Sequence, residues 1–183
     1  SWVGRFLGRI HAVGATARFE QRPRLDVDTF GYTALNDLLA TDLLPIEVAT
    51  RYEATARTVL AAVEARIQAA EPLRHLRLHG DCHAGNILWA ADGPHFVDLD
   101  DCRSGPAVQD LWMLLSGTTE EMQIQLGHVL RGYCQFHDFD FSELSLIEPL
   151  RALRAVYYAS WLAKRWDDPA FPRAFPWFGT VRY

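Results

Sequence analysis

A short segment, residues 76–101, alternates apolar runs with polar loops and restricts the chain here to strands joined by tight turns. The apolar runs are LRL, ILW and HFV; HGDCHAGN separates the first two, a loop with Asp-Gly separates the last two, and DLDD follows. Apolar runs of this length bounded by Gly and Asp are typical of short strands, and Asp-Gly supplies the positive φ that hairpin turns favour. The segment therefore predicts a β-hairpin that brings Asp81, Asn86 and Asp98 together.

These three side chains have the chemistry of a phosphoryl-transfer site. Asp81 lies where a strand gives way to a tight loop and, as a carboxylate, can accept or orient the proton of an attacking hydroxyl. The Asn86 amide oxygen and the Asp98 carboxylate suit a hard cation such as Mg²⁺, which would clamp the phosphate oxygens of ATP. We therefore interpret the segment as a kinase active site, with Asp81 as the catalytic residue and Asn86 and Asp98 as the metal and cofactor ligands.

A zinc site is an alternative interpretation of the same segment. His79, Asp81 and His83 alternate, and two imidazoles with a carboxylate are a plausible ligand set for a metallohydrolase. Alternate residues share a side only on an extended strand, whereas the glycines of HGDCHAGN favour an irregular loop. The zinc interpretation also leaves Asn86 and Asp98 without a role, so the kinase interpretation is preferred.

The remaining polar residues of the segment are assigned supporting roles. His79 and His83 are expected to order the loop, by donating to backbone carbonyls or by packing under Asp81. Asp100 and Asp101 either assist metal binding or form a solvated acidic turn, and both alternatives stay open. No basic side chain is near Cys82 in sequence, so it is interpreted as a small packing residue and not as a nucleophile.

The pattern HGDCHAGNILW with FVDLDD resembles the aminoglycoside phosphotransferase and choline kinase branch of the protein-kinase-like fold, where His-Gly-Asp-x-His-x-x-Asn is usual. Residues 78–117 are also very similar to the bacterial stress response kinases of that branch, which are Ser/Thr protein kinases. The resemblance implies ATP- and Mg²⁺-dependent phosphoryl transfer to Ser/Thr hydroxyls of proteins. A small-molecule phosphotransferase for aminoglycosides, choline or homoserine, and a noncatalytic pseudokinase, remain alternatives.

The resemblance also implies a role for individual residues. Asp81 matches the catalytic base, and Asn86 and Asp98 match magnesium ligands. Asp110 matches an Asp at a helix start that holds the catalytic loop by hydrogen bonds, which is structural support of the site. Leu and Asp follow Asp98 where typical protein kinases have Phe-Gly.

Outside the hairpin, apolar residues recur with helical spacing. Helices are predicted at residues 2–13, from Pro45 to near Pro72, and at 108–115, 120–136 and 142–166. Residues 22–33 are predicted to be a loop, and the aromatic tail 169–183 is predicted to pack against the rest. The fold class is α+β, a predominantly α-helical lobe with a small β-hairpin that carries the catalytic loop.

A glycine-rich phosphate loop and a strand Lys, which kinases also need, are missing from this sequence, whose only Lys is Lys164 in a helical context. The resemblance explains this if residues 1–183 are a single domain, the C-terminal lobe of a protein-kinase-like enzyme. The ATP-clamping N-terminal lobe is then absent from this chain, which alone is expected to be inactive or nearly so.

Composition limits the partners and the compartment. The net charge of −5 gives no case for nucleic-acid binding, and no apolar run approaches membrane-spanning length. Three widely spaced cysteines indicate reduced thiols in the cytoplasm. We expect a monomer whose partners are ATP and a protein Ser/Thr substrate, or a small-molecule hydroxyl in the alternative.

Overall fold

The computed structural model describes residues 1–178 and 180, which form two compact units. The first unit consists of Ser1–Leu25 and Ala70–Ile147, and the second of Asp26–Ala69 and Glu148–Tyr183. Within the described residues, no helix combines the length and the apolar composition needed to cross a membrane. Every residue of the predicted site lies in the first unit.

Helices make up most of the chain and the strands are short. The helices are α1 (Trp2–Gly14), α2 (Ala34–Leu39), α3 (Ile46–Ala69), α4 (Val108–Trp112), α5 (Thr119–Tyr133), α6 (Ile147–Ala163) and α7 (Ala170–Ala174). The strands are β1 (Leu76–Leu78), β2 (Ile87–Ala90), β3 (Gly93–Phe96) and β4 (Arg103–Gly105). Short 3-10 turns occupy Ala84–Asn86, Leu99–Asp101 and Phe141–Leu146.

The strands form two antiparallel pairs. β2 and β3 form the predicted hairpin, with Ile87 opposite Phe96 and Ala90 opposite Gly93. β1 pairs instead with β4, which the sequence did not predict as a strand. The turn of the hairpin is shorter than predicted, because Gly93 belongs to β3, where its φ of 124° and a close approach to the Trp2 ring exclude a side chain.

The prediction of a loop over residues 22–33 is wrong for its second half. Asp28–Thr33 forms a π-helical turn that continues into α2. Phe30 and three residues of α2 are buried at helical spacing, namely Ala34, Leu35 and Leu38. Just before this turn, the Asp26 side chain accepts a hydrogen bond from Thr29 N (2.7 Å). Its side chain therefore caps the start of a helical segment.

The aromatic tail packs as predicted where it is described. Phe171, Phe175 and Phe178 pack in the core of the second unit together with Leu38 and Leu162. The end of that tail, residues 179 and 181–183, lies outside the described residues.

Helices α1 and α5 pack with their backbones in contact. On α1, Gly4 and Gly8 are one turn apart and both face the backbone of α5. A Cβ on Gly8 would lie 2.5 Å from Tyr133 O, which is closer than real Cβ atoms approach. Only glycine therefore permits this spacing, which brings buried side chains of α1 and α5 together.

We predict that Gly8→Ala destabilises the protein by about 2 kcal/mol, because the added methyl group overpacks the contact between the two helices. The matched control is Gly127→Ala in α5, where an added Cβ meets no atom within 4 Å. That variant should be stabilised by about 0.5 kcal/mol through helix propensity. Urea unfolding measures both free energies, and equal effects of the two substitutions would contradict the close packing.

Candidate active site

The loop after β1 is held by one carboxylate. Asp110 in α4 is fully buried, and its Oδ2 and Oδ1 accept hydrogen bonds from His79 N (2.8 Å) and Gly80 N (2.9 Å). Bonds from amides to an ionised carboxylate are stronger than those between neutral groups. Two consecutive peptide groups are thereby fixed in orientation, and the next residue of the chain is Asp81.

A histidine that the sequence analysis missed extends this network. His11 in α1 is fully buried, with Nε2 2.9 Å from Asp110 Oδ2 and Nδ1 2.8 Å from Tyr133 Oη. An ionised carboxylate only accepts hydrogen bonds, so Nε2 is the protonated ring nitrogen and donates a hydrogen bond to Asp110. Burial raises the pKa of Tyr133, so its phenol stays protonated and donates to Nδ1. The available signal was a histidine on the apolar face of an amphipathic helix.

Gly80 occupies a position that no other residue fits. Its φ is 84°, in the left-handed region, and a Cβ there would contact Asp101 O. The same Cβ would lie 2.9 Å from Nε of Arg103, whose side chain is buried and bonds both Asp101 O (2.8 Å) and Asp101 Oδ1 (2.7 Å). Arg103 therefore folds the acidic turn against the loop, and Asp101 is an ion-pair partner in this structure.

His79 connects the two halves of the site. Its buried ring donates from Nε2 to Val97 O (2.9 Å), and its Nδ1 accepts a longer bond from Asp81 N (3.3 Å). Val97 directly precedes Asp98. The imidazole thus links the backbone on either side of the site.

Asp81 and Asn86 lie side by side. Asn86 Nδ2 donates to Asp81 O (3.0 Å) and more weakly to Asp81 Oδ2 (3.4 Å). His83 Nε2 lies 3.5 Å from the same Oδ2, and its Nδ1 accepts from Gly85 N (3.0 Å). His83 therefore caps the 3-10 turn by accepting a hydrogen bond, and its ring lies beside the Asp81 carboxylate. The Asp81 side chain is 17% exposed, so it can be reached from solvent.

Asp98 follows β3 in a strained backbone conformation. Val97 N donates to Asn86 O (3.0 Å), which places the residue before Asp98 beside Asn86. Asp98 has φ 62° and ψ 68°, and it alone among the described non-glycine residues has a positive φ. Left-handed backbone is tolerated by Asp but costs free energy, and it is concentrated at functional sites. The Asp98 side chain is exposed, so its carboxylate is accessible from solvent.

The donor set fits a hard divalent cation. Because Asn86 Nδ2 is used by Asp81, its amide oxygen is left for a ligand, and Asp98 contributes a carboxylate. Among the described residues, no three His, Cys, Asp or Glu side chains are grouped to hold a metal. That is compatible with Mg²⁺, which usually takes one or two protein oxygens together with substrate phosphates. The zinc alternative is not supported by this geometry, because both ring nitrogens of His79 are hydrogen-bonded to backbone groups and neither is available as a ligand.

The three cysteines form no disulfide in the described part of the chain. Cys82, Cys102 and Cys134 are free thiols. Cys82 is fully buried, and burial raises the pKa of its thiol, with the nearby Asp110 and Asp81 charges acting in the same direction. The thiol therefore stays neutral, as expected of a packing residue.

A second buried acid holds the start of α4. Glu143 is 2% exposed and its Oε2 accepts a hydrogen bond from Val108 N (2.9 Å). Burial raises the pKa of Glu143 to about 7. The hydrogen bond from the Val108 amide and the charge of Arg74 lower this pKa, whereas the charge of Asp140 raises it further. The helix that carries Asp110 is thus anchored by a side chain that titrates near neutrality.

We predict that Glu143→Gln makes the protein less sensitive to pH. Since the folded-state pKa of about 7 is above the ordinary 4.5, the protonated acid stabilises the fold at low pH. This stabilisation is lost as the pH rises through 7. From about pH 5 to about pH 8, the free energy of unfolding of the parent should fall by roughly 2 kcal/mol more than that of the variant. Urea unfolding at both pH values measures it, and parallel pH curves would contradict a raised pKa.

The chain matches a known family over most of its length. Residues 1–153 match the model of the APH family, described as the phosphotransferase enzyme family. The chain is 49% identical over 181 residues to stress response kinase A of Escherichia coli (strain K12), and this covers 99% of the chain and 54% of the relative. It is 47% identical, with the same coverage, to serine/threonine protein kinase RdoA of Salmonella typhimurium (strain LT2). The chain thus spans about half the length of the curated relatives it matches.

Solved structures share the fold at low sequence identity. One is an amicoumacin kinase, hAmiN, in complex with AMP-PNP, Ca²⁺ and Ami. Its TM-score is 0.63 at 19% identity, and the match covers 97% of this chain and 56% of the kinase chain. The AMP-bound spectinomycin phosphotransferase APH(9)-Ia has a TM-score of 0.65 at 14% identity, covering 97% and 61%. The predicted α+β, protein-kinase-like fold class is therefore confirmed. The chain belongs to the phosphotransferase enzyme family, and the relatives that match almost all of it are named kinases.

Proposed function

We propose that this chain is the C-terminal lobe of a kinase that transfers the γ-phosphoryl group of ATP, with Mg²⁺, to Ser or Thr hydroxyls of proteins. The observation that carries the proposal is the hydrogen-bonded pair of Asp81 and Asn86 beside the strained Asp98. It combines a solvent-accessible carboxylate with two oxygen ligands on a loop whose backbone is fixed from behind by Asp110. This is the equipment that phosphoryl transfer needs from this lobe.

In this mechanism Asp81 is the catalytic residue. Its carboxylate orients the acceptor hydroxyl in line with the γ-phosphorus and takes the proton as the oxygen attacks. The Asn86 amide donates to the Asp81 backbone and carboxylate, which holds the carboxylate in a defined direction. Catalysis depends on this positioning, with no covalent intermediate on the chain.

Asn86 and Asp98 would hold the metal and, through it, the nucleotide. When bound, Mg²⁺ neutralises charge on the phosphate oxygens. The hAmiN complex, which shares this fold, contains AMP-PNP and Ca²⁺, and this supports a nucleotide and a divalent cation at the corresponding site. The phosphate-clamping loop and Lys would come from an N-terminal lobe outside this chain, so the chain alone is inactive or nearly so.

Three further residues support the site and are given no step in the chemistry. Asp110 fixes the amides before Asp81, His79 links the two halves of the site, and His83 caps the turn before Asn86. We assign them positioning roles.

The protein substrate is supported by the relatives, since the RdoA relative is named a serine/threonine protein kinase at 47% identity. The solved neighbours named for amicoumacin and spectinomycin are less than 20% identical and support a small-molecule acceptor more weakly. Free thiols are consistent with a reducing compartment, so we place the enzyme in the cytoplasm, as a monomer.

The first experiment measures phosphate transfer from labelled Mg-ATP by the full-length protein. The acceptors are a generic basic protein, the protein itself, aminoglycosides, choline and homoserine. We predict label on protein Ser/Thr, and a loss of about a hundredfold or more in kcat for Asp81→Asn. Asn86→Ala and Asp98→Asn should raise the Mg²⁺ concentration needed for half-maximal activity, because each removes an oxygen ligand of the metal. Asp92→Asn, at an exposed acid of the hairpin turn, is the matched control and should leave activity unchanged.

The outcomes separate the three functions. Label only on a small molecule would move the assignment to the small-molecule phosphotransferases. Nucleotide binding without transfer to any acceptor would favour a noncatalytic pseudokinase.

A second experiment tests His11 as a positioning residue. We predict that His11→Leu lowers kcat by roughly tenfold to a hundredfold while KM for ATP changes little, because the Asp110 carboxylate loses a donor and the loop shifts. His11→Gln keeps a side-chain donor and should recover part of kcat. His95→Leu, at a half-exposed His of the hairpin, is the control. If kcat per folded molecule is unchanged in His11→Leu, the histidine serves stability alone.

A further inference from the structure

A basic cavity lies beside β4, apart from the site around Asp81. It has a volume of about 230 Å³ and is lined by Arg18, Phe19, Arg22, Arg24, His75, Leu76 and Ser104. None of these lining residues is acidic, although the chain as a whole carries a net charge of −5. Three arginines therefore line one small cavity in an acidic protein.

The positive charge of this cavity is not neutralised by its neighbours. Arg18 makes no hydrogen bond or ion pair with another described residue. Arg24 Nη2 and Glu71 Oε1 are 3.7 Å apart, and the two side chains are 58% and 44% exposed. An ion pair this exposed contributes little free energy, because water screens its charges. Arg22 donates to a backbone carbonyl, that of Asp100, and so keeps its charge.

The cavity wall also contains a buried donor without an acceptor. Because a guanidinium only donates, the 3.0 Å contact between Arg24 Nη2 and His75 Nε2 makes Nε2 the acceptor. The His75 ring is neutral, since burial and the Arg24 charge lower its pKa, so its proton is on Nδ1. That Nδ1 is buried and has no hydrogen-bond partner within the described residues. A buried N–H without an acceptor costs free energy.

We propose that this cavity binds a phosphate group, as inorganic phosphate or as a phosphate monoester, with Arg18, Arg22 and Arg24 as its cationic ligands. Guanidinium groups bind phosphate oxygens in a bidentate manner. A cluster of several guanidinium groups is better matched by a doubly charged phosphate than by a carboxylate with its single charge. At about 230 Å³ the cavity is below the usual volume of pockets for drug-sized ligands, which favours a phosphate group with a small substituent.

The ligand would contact the segment that joins Asp98 to α4. Ser104 lines the cavity, and its backbone pairs with residues 23–25 through Leu25 N to Ser104 O (2.7 Å) and Ser104 N to Pro23 O (3.0 Å). Arg22 reaches Asp100 in the same segment. Phosphate binding would therefore order the chain just after Asp98. An effect on catalysis rests on the proposed function, whereas the binding does not.

The test measures binding of two probes to the full-length protein by calorimetry at constant ionic strength. The probes are inorganic phosphate and a phosphoserine capped by acetyl and amide groups, with saturating Mg-ATP present so that the nucleotide site is filled. Arg18→Gln is the informative variant, because this side chain makes no described hydrogen bond or ion pair whose loss would unfold the protein. Arg131→Gln, at an exposed arginine of α5, is the matched control.

We expect both probes to bind and Arg18→Gln to weaken them about tenfold, with no change in Arg131→Gln and equal melting temperatures. Tighter binding of phosphoserine would identify a phosphorylated side chain as the ligand, and tighter binding of inorganic phosphate would identify a free anion. Absence of binding, or equal affinities of the two arginine variants, would overturn the proposal. Neither result depends on whether the protein transfers phosphate.

Discussion

One buried carboxylate that accepts from two consecutive peptide amides is the interaction on which the candidate site depends. Asp110 is fully buried and bonds His79 N, Gly80 N and His11 Nε2. A charge so far from water is costly unless its hydrogen bonds are complete, so the loop, α4 and α1 must assemble together. The direction of Asp81 follows, because it is the next residue after two fixed peptide groups.

The support of this carboxylate reaches through the core of the first unit. Close packing of α1 on α5 at Gly8 allows His11 to meet Tyr133, and Glu143 anchors the start of α4. These groups are polar within an apolar core, so each is sensitive to the loss of its partner. The exposed Asp98 contrasts with them, since its position depends on strained backbone and on the pairing of neighbouring strands.

Much of the site was predictable because it is local in sequence. Apolar runs and turn residues predict the hairpin, and the hairpin returns the chain to Asp98 beside Asn86. The five-residue interval from Asp81 to Asn86 is read directly from the sequence. The role of Asp110 came from the family resemblance and not from spacing. His11 could not be assigned, because it lies 99 residues from Asp110 and a buried histidine has no local signature of its partner. The helical turn at residues 28–33 was missed because Pro23 and the alternating Asp residues of the segment were interpreted as loop signals.

The sequence by itself determined the chemistry: which carboxylates and amides are available, the short strands that carry them, the helical character of the remainder and the branch of kinases it resembles. Tertiary structure alone decided which groups are buried together. The pairing of β1 with β4, the contacts of Asp110 with His11, and the cavity formed by Arg18, Arg24 and His75 all join residues far apart in the chain. Such contacts depend on how separate elements pack, and side-chain periodicity within each element carries no information about that packing.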